Sequence, residues 1–426
     1  MRVLTGSRPL RYASATLLLA VVCACALVMS GRPGDAVSPA SAVPAPAPGA
    51  QHAGSGPEAL LSRTLHELGN QRLDAASSEV DRMIRDYPNF RLAHLIKGDL
   101  LLARARPLAT VGDAAGAPAD RLEELRAEAR ARLARMQQQR PVNLLPSSVV
   151  QLQPRQRHVL VVDTARSTLY VFENRDGEAR YVTDYYISIG KNGIEKVREG
   201  DNKTPLGVYH VTGRLSRTKL NAAYGKLAEQ YGIGALPISY PNEWDRREGR
   251  NGHGIWLHGV PSGTYSRPPL ASNGCIALTN EDFTAISREV QIGLTPVIIA
   301  NGVDWVTPEA SRALRRELAE RLESWRHDWE NRDTDRYLAH YAAGFASGRL
   351  DLAKWSEQKR KVNAGKSWIQ VKLESVSIFL YPGRNDLAVV TFDQDYASSN
   401  LTKKMRKRQY WIREDSTWRI LHEGAA

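Results

Sequence analysis

A cysteine and a histidine near the middle of the chain have the residue types and the spacing that thiol chemistry needs. His258 ends a strand-like run and is followed by Gly259, and Cys275 comes 17 residues after the histidine. A thiol attacks a carbonyl carbon as the thiolate, so it needs a base or a cation nearby, and histidine is the natural base near neutral pH. A loop of this length can fold His258 against Cys275. The pair therefore predicts acyl-transfer chemistry, with Cys275 as nucleophile and His258 as its base.

The residues next to the cysteine predict how a substrate meets the sulfur. Gly274 places no side chain where a substrate carbonyl must approach, and backbone N–H groups from Asn273 to Cys275 are expected to form an oxyanion hole. The group that orients His258 stays open between a backbone carbonyl and a carboxylate. A second histidine followed by glycine, His253, lies one strand earlier and is the alternative base.

Short β-type runs separated by turns must position this pair. A helix is predicted to begin at Thr279, where Thr-x-x-Asp forms a cap, and to end near Val290. These elements predict a mostly β domain over residues 150–303. Its strand-like runs lie at 158–163, 167–172, 181–189, 207–213, 254–257 and 295–300.

The other two cysteines lie in a different kind of segment. Cys23 and Cys25 fall in the apolar stretch 13–29, which follows three arginines. This pattern predicts a secretory signal peptide over 1–30, and the length also allows an uncleaved membrane anchor. Both alternatives export the body of the protein, where Cys275 is then the sole cysteine. Such a cysteine is a reactive thiol, half of an intermolecular bridge, or an inert buried residue.

Composition and charge limit the class of protein. A chain of 426 residues predicts two to four domains, and 42% hydrophobic with 24% charged residues excludes a wholly disordered or fibrous chain. The net charge of +12 divides over 1–35, 36–149, 150–303 and 304–426 as +3, +2, +3 and +4. Basicity spread this evenly does not favour a nucleic-acid partner. Ten histidines without metal-ligand spacing, and no phosphate-binding glycine loop, predict no metal and no cofactor.

Three further segments complete the organisation. Residues 31–57 are rich in proline and alanine and predict a flexible linker. Residues 58–140 have apolar residues at helical spacing and resemble a tetratricopeptide-like module of about one and a half repeats. Residues 308–426 predict helices followed by strands, an α+β domain, with the helical pattern running through Tyr341 to Phe345.

Ordered motifs over residues 157–300 resemble the L,D-transpeptidase (YkuD-type) family. They are His-Gly, a loop, then Ser-x-Gly-Cys-[Ile/Val]-x-[Leu/Met], preceded at 200–207 by a turn similar to Gly-Asp-x-x-Thr-Pro-x-Gly. The resemblance implies a β-rich catalytic domain in which Cys275 is the nucleophile, His258 the base, and Ser272 and Gly274 shape the loop and the oxyanion hole. It implies a periplasmic enzyme that takes an acyl group from a tetrapeptide stem of peptidoglycan as a thioester and passes it to an amine.

Two positions depart from the family pattern. Asn273 stands where a histidine is common, and Ala277 replaces the arginine that usually lies two residues after the cysteine. Ala277 and the stretch 238–246 are similar to a proteobacterial subgroup, some members of which hydrolyse the link between diaminopimelate and an anchored lipoprotein. The predicted reaction therefore stays open between transfer and hydrolysis, with stem peptides and a wall-linked lipoprotein as alternative partners. A non-catalytic wall-binding scaffold is the third alternative.

Five further residues are candidate substrate contacts. Gly259, Tyr265 and Arg267 lie on the loop between His258 and Cys275, where they would flank a stem peptide. Asp245 and Arg246 are either a solvated charge cluster or part of a site for a substrate carboxylate.

The C-terminal segment resembles the NTF2-like α+β cone. Such cones have a pocket and often pair, so the resemblance implies wall binding or a homodimer, with a filled, inert pocket as the alternative. The basic run 403–408 predicts either a solvated, edge-protecting face or a contact with anionic wall polymers. The resemblance is carried by the order of Trp325, Trp329, Asp333, Tyr337, Tyr341 and Phe345, followed by strands that end in Trp418-Arg419-Ile420.

Overall fold

A computed structural model describes residues 56–113, 116–137 and 141–426, which form two compact units. The first unit contains the described residues up to Arg130 together with Gly263–Tyr265, and the second contains the rest. The expected signal or anchor, with Cys23 and Cys25, and all but the last two residues of the expected linker lie outside the described residues. In the described ranges, no helix has both the length and the apolar character needed to cross a membrane.

The first unit is helical, as the sequence predicts. The apolar stripe of its second helix buries Ala76, Val80 and Met83, which recur every three to four residues. The tetratricopeptide-like character of this unit stays a prediction. The helices are α1 (Pro57–Gly69), α2 (Leu73–Asp86), α3 (Arg91–Ala103) and α4 (Ala119–Gln137), whose residues from 131 count with the second unit.

The first part of the second unit is rich in short strands. In chain order its elements are β1 (Leu145–Pro146), β2 (Val149–Gln151), β3 (His158–Asp163), β4 (Thr168–Arg175), β5 (Glu178–Tyr186), β6 (Ile189–Gly190), β7 (Gly207–His210), β8 (Leu215–Ser216), α5 (Arg217–Tyr224), a 3₁₀ helix (Gly225–Tyr231), β9 (Gly234–Pro237), α6 (Glu243–Arg247), β10 (Trp256–His258), β11 (Leu270–Ser272), β12 (Ile276–Ala277), α7 (Asn280–Glu289), β13 (Pro296–Ala300) and β14 (Trp305–Val306).

Two sheets form the centre of this part. The larger has the order β5-β4-β3-β13-β7, with β3 and β13 parallel, and the smaller has the order β12-β10-β9-β8, with β10 and β12 parallel. β3 is buried on both faces because its alternate residues enter different cores: Leu160 and Val162 one core, Val159 and Val161 another. Helix α7 begins after the Thr279 cap and ends before Val290, as predicted.

The second part is the α+β domain. A long sheet of order β16-β15-β20-β19-β18-β17-β2 covers the helices, and Trp325, Trp411 and Trp418 are fully buried. Its elements are α8 (Pro308–Glu330), α9 (Thr334–Ala339), β15 (Tyr341–Ser347), β16 (Leu350–Asp351), α10 (Leu352–Ala364), β17 (Ile369–Leu380), β18 (Leu387–Ser398), β19 (Leu401–Glu414) and β20 (Thr417–Ala425).

One stretch of this domain differs from the sequence prediction. Tyr341 and Phe345 lie on β15, where Tyr341 pairs with Ile420, and not on a continuing helix. Residues four apart share a face in a helix and also in a strand, so their spacing does not distinguish the two. The pairing with β20 decides for the strand.

The two parts of the second unit share their cores. β2, which lies at the expected start of the catalytic domain, pairs with β17 of the C-terminal sheet. The indole of Trp244 on α6 stacks on Tyr410 with ring centroids 5.8 Å apart, and Arg408 pairs with Glu243 at 2.9 Å. The β-rich part and the C-terminal sheet therefore pack against each other through a buried, largely apolar interface.

Candidate active site

The strand register brings His258 and Cys275 to one face of the smaller sheet. β10 and β12 run parallel, with His258 opposite Ala277. One pair earlier in the same register, Cys275 lies beside Trp256, whose backbone N–H donates to the sulfur. Because successive side chains of a strand point to opposite faces, Cys275 and His258 lie on the same face.

The ring of His258 is held in one tautomer. Its Nδ1 donates to the carbonyl oxygen of Gly259 at 2.6 Å, since a carbonyl can only accept. This leaves Nε2 with its lone pair and therefore able to take a proton. The edge of the ring packs against Tyr231, with centroids 5.2 Å apart. Burial lowers the pKa of His258 to about 4, with a smaller contribution from the charge of Arg267, although the hydrogen bond to Gly259 acts in the opposite direction.

The thiol of Cys275 is buried and protonated. It donates to the carbonyl oxygen of Gly254 at 3.3 Å. Burial raises its pKa to about 11, although the Trp256 amide and the charges of Lys196 and Arg267 act in the opposite direction. The sequence predicts a base or cation beside the thiol, and both are present, but burial outweighs them. Cys275 and His258 are therefore a neutral pair at neutral pH.

The turn before the cysteine is fixed by side-chain hydrogen bonds. The hydroxyl of Ser272 accepts from the N–H of Gly274 at 3.1 Å and donates to the carbonyl of Cys275 at 2.6 Å. Gly274 has φ of +115°, and a Cβ there would lie 2.7 Å from the Lys203 carbonyl oxygen. The Gly274 amide is thus used inside the turn. In the described part of the chain, the amides of Asn273 and Cys275 bond to no protein acceptor, so they are the candidate oxyanion donors.

The Gly-Asp-x-x-Thr-Pro motif supports this turn from behind. The buried hydroxyl of Thr204 accepts from the Gly190 amide at 2.9 Å and donates to the Gly274 carbonyl at 3.0 Å. The carboxylate of Asp201 binds the buried ammonium of Lys196 at 2.7 Å. Backbone amides also donate to Asp201, and together with Lys196 they hold its pKa well below the usual range despite burial.

Aromatic rings line the approach to the histidine. The rings of Tyr231 and Trp256 are 4.8 Å apart, and both contact Tyr224, which is exposed. Trp256 is only half-buried. Tyr224 and Tyr231 come from the α5–3₁₀ segment, which lies far from the cysteine motif in the sequence and gives no motif signal of its own.

The candidate residues Asp245 and Arg246 have different environments. Asp245 is fully buried and caps α6 together with Asn242, and its carboxylate also accepts from Tyr209 at 3.1 Å and from Arg250 at 3.3 Å. Its oxygens are therefore engaged inside the protein, and Asp245 is not part of a solvated cluster. Arg246 is exposed.

The remaining candidates differ in how deeply they are buried and in the unit to which they belong. His253 is 79% exposed and lies 3.4 Å from Glu199, so the structure places it outside the buried pair. Tyr265 belongs to the helical unit, where its ring packs against Tyr87 at 5.0 Å and Phe90 at 4.9 Å. Gly259 is buried and contributes the carbonyl that orients the histidine.

The basic run 403–408 is divided between the faces of β19. Three of its cations pair with acids on neighbouring elements within 3 Å, and a fourth, Arg406, lies 3.9 Å from Asp393, so the run is not a continuous basic face. These pairs are Lys404 with Asp395 at 2.6 Å, Lys407 with Glu423 at 2.7 Å and Arg408 with Glu243 at 2.9 Å. Among the residues that the structure describes, no group of three or more metal-ligating side chains comes together.

The fold and the two domain matches define a β-rich catalytic domain of the L,D-transpeptidase type joined to an NTF2-like domain. Residues 157–299 match the family model of the L,D-transpeptidase catalytic domain (YkuD), and residues 317–424 match that of the Cds6 C-terminal NTF2-like domain. No curated protein matches the chain.

Two solved structures are similar to this chain over about two thirds of its length. Bd1075 of Bdellovibrio bacteriovorus is 30% identical with a TM-score of 0.57, over 66% of this chain and 98% of that one. The helical cell shape determining protein Pgp2 from Campylobacter jejuni is similar in fold, with 24% identity and a TM-score of 0.56 over 66% of this chain and 95% of that one. The chain belongs to the YkuD-type L,D-transpeptidase family, as the motifs indicate, and is a peptidoglycan-modifying enzyme.

Proposed function

We propose that this protein is an exported, periplasmic cysteine L,D-transpeptidase that forms a thioester between Cys275 and a tetrapeptide stem and transfers the acyl group to an amine. The observation that carries the proposal is the geometry of the pair. The histidine has one ring nitrogen fixed on the Gly259 carbonyl. Among the described residues no hydrogen bond occupies its other ring nitrogen, and the histidine lies on the face that carries the Cys275 thiol.

The reaction follows from the neutral pair. As the sulfur attacks the carbonyl carbon of the bond between the L-centre and the D-centre, the thiol proton passes to Nε2 of His258. The amides of Asn273 and Cys275 receive the charge that develops on the oxygen. The imidazolium then gives the proton to the leaving amine, and the thioester remains. An acceptor amine loses a proton to His258, attacks the thioester and restores the thiol.

Incubation with purified disaccharide-tetrapeptides tests this proposal. We expect mass spectrometry to detect the acyl-enzyme and cross-linked dimers, and we expect Cys275→Ala to abolish both products and acylation by a carbapenem. Ser262→Ala, which changes an exposed hydroxyl on the same loop, is the matched control. Full activity in Cys275→Ala would exclude a cysteine mechanism.

Hydrolysis at the same site is the second candidate function, and Ala277 favours it. This side chain lies opposite His258 and is buried, so the strand beside the cysteine offers no polar group to an amine acceptor. Water would then take the place of the acceptor and release a free acid. Digested wall material distinguishes the two reactions, because transfer yields new 3→3 cross-links, whereas hydrolysis yields shortened stems or a released lipoprotein.

The C-terminal domain is proposed to bind wall polymer or to pair two copies of the chain. Pgp2, which shares the fold, is described as a determinant of helical cell shape. We extend this role to the present protein as a proposal in cell-wall organisation and cell shape. Sedimentation of the purified protein with isolated sacculi, alone and with Cys275→Ala, tests the binding. If Cys275→Ala binds the sacculi and the wild type shows no detectable reaction on them, a non-catalytic wall-binding scaffold is favoured.

A further inference from the structure

The guanidinium of Arg267 acts through its charge on both members of the candidate pair. It donates from Nη2 to the carbonyl oxygen of Gln230 at 3.2 Å, and the next residue, Tyr231, packs against the ring of His258. The hydroxyl of Tyr186 donates to the backbone carbonyl of Arg267 at 3.0 Å and fixes the segment. Arg267 is half-buried.

No carboxylate neutralises this arginine in the described part of the chain. None of the ion pairs of the β-rich domain includes Arg267, and burial lowers its pKa while the charge of the Cys275 thiolate would raise it. The second cation near the thiol, Lys196, is already paired with Asp201 at 2.7 Å. Of the two cations near the thiol, Arg267 is therefore the one whose charge no carboxylate of the described residues neutralises.

This charge has opposite effects on the two steps of activation. It stabilises the thiolate of Cys275, but it opposes the imidazolium that forms when His258 accepts the proton. A carboxylate that pairs with the guanidinium removes the repulsion at His258 at the moment when the base is needed. A half-buried guanidinium binds a carboxylate strongly because two N–H groups can donate in parallel.

We infer that Arg267 binds a free carboxylate of the acyl-donor peptide, on the residue that flanks the scissile bond, and that this pairing frees His258 to act as the base. The inference rests on the proposed function, because it assigns the donor specificity of the same site. It makes Arg267 a substrate-binding residue that also couples binding to proton transfer. The substrate class is a stem peptide with a free carboxylate beside the scissile bond.

Donor peptides with a free C-terminal carboxylate and with the corresponding carboxamide test this role. In the wild type we expect kcat/KM to be about 10- to 100-fold higher for the acid. In Arg267→Gln the kcat/KM values of the two donors should become equal within about twofold, and Arg267→Lys should restore part of the preference for the acid. We also expect the acid limb of the kcat/KM profile to move to higher pH in Arg267→Gln. Arg288→Gln, which removes an exposed arginine on α7, is the control.

A second measurement needs no substrate. We expect the rate of Cys275 alkylation by iodoacetamide at pH 9 to fall about threefold or more in Arg267→Gln, because the thiolate loses a nearby cation. Retained preference for the acid in a folded Arg267→Gln enzyme would overturn the inference, and so would an unchanged alkylation rate. If no stem peptide acylates even the wild type, the proposed function fails, while the alkylation rate still reports on the charge of Arg267.

Discussion

The Nδ1 atom of His258 donates to the carbonyl of the adjacent residue, Gly259, at 2.6 Å. A backbone carbonyl therefore replaces the carboxylate that orients the histidine in many cysteine and serine enzymes. Since a carbonyl adds no charge, burial dominates and the histidine stays neutral. The side chain of Asn280 supports this turn from below, accepting from the Val260 amide at 3.2 Å and donating to the Val260 carbonyl at 3.0 Å.

Gly259→Ala should disrupt this arrangement. A Cβ at this position would overlap Oδ1 of Asn280, so the turn must shift and the Nδ1 hydrogen bond with it. We expect kcat to fall by about 100-fold, the scale of a misplaced catalytic group. Steady-state kinetics with circular dichroism checks this, and Gly302→Ala, where a Cβ meets nothing within 4 Å, is the control. Equal activity of the two variants would contradict the role of the turn.

Thr204→Val should weaken the turn before Cys275, although the valine side chain has nearly the same shape as threonine. The variant removes the hydroxyl that joins the Gly190 amide to the Gly274 carbonyl. Two buried groups lose their partner, so we expect a loss of about 2–4 kcal/mol in the free energy of unfolding and a lower kcat. Urea denaturation measures the first quantity. Thr204→Ser keeps the hydroxyl and should retain most of the stability, and if it is as destabilised as the valine variant, the hydrogen bonds are not the cause.

Asp201 should stabilise the protein in a pH-dependent way. Its pKa in the folded protein is lowered, so its contribution is complete above the unfolded value of about 4 and is lost as the pH falls through the folded value. Asp201→Asn leaves the buried Lys196 without its counter-ion and should cost about 3–5 kcal/mol at pH 7. Thermal unfolding from pH 7 to pH 2 should show a smaller loss for the variant than for the wild type. If the stability of the variant and of the wild type depended on pH in the same way, the Asp201 carboxylate would be excluded as the source of the pH dependence.

Cys275 should be unreactive in the empty site. With a pKa of about 11, its thiolate fraction at pH 7 is roughly 100-fold below that of free cysteine. Alkylation by iodoacetamide should therefore be slower than that of free cysteine, and it should rise with pH up to about 11. Because His258 takes a proton only near pH 4, kcat/KM should stay level from about pH 5 upward and fall below it. Stopped-flow labelling faster than free cysteine at pH 7 would contradict the neutral pair.

Much of the fold follows from local sequence patterns. The cap at Thr279 gives the start of α7, and the short apolar run in 158–163 gives a strand with the predicted bounds. Periodicity failed at Tyr341 and Phe345, where spacing of four residues fits helix and strand equally. The pairing of Val149–Gln151 with the C-terminal sheet has no local signal, because its partner β17 begins more than 200 residues later.

The sequence by itself determined the family, the order of the domains and the residue types of the candidate site, because motif spacing and hydrophobic period are local properties. Only the tertiary structure decided the environment of each group. It buried Asp245 in a helix cap and placed Tyr265 in the helical unit. It also left Cys275 and His258 neutral near Arg267, whose charge no carboxylate of the described residues neutralises. Burial and electrostatic fields depend on residues distant in sequence, so no local pattern contains them.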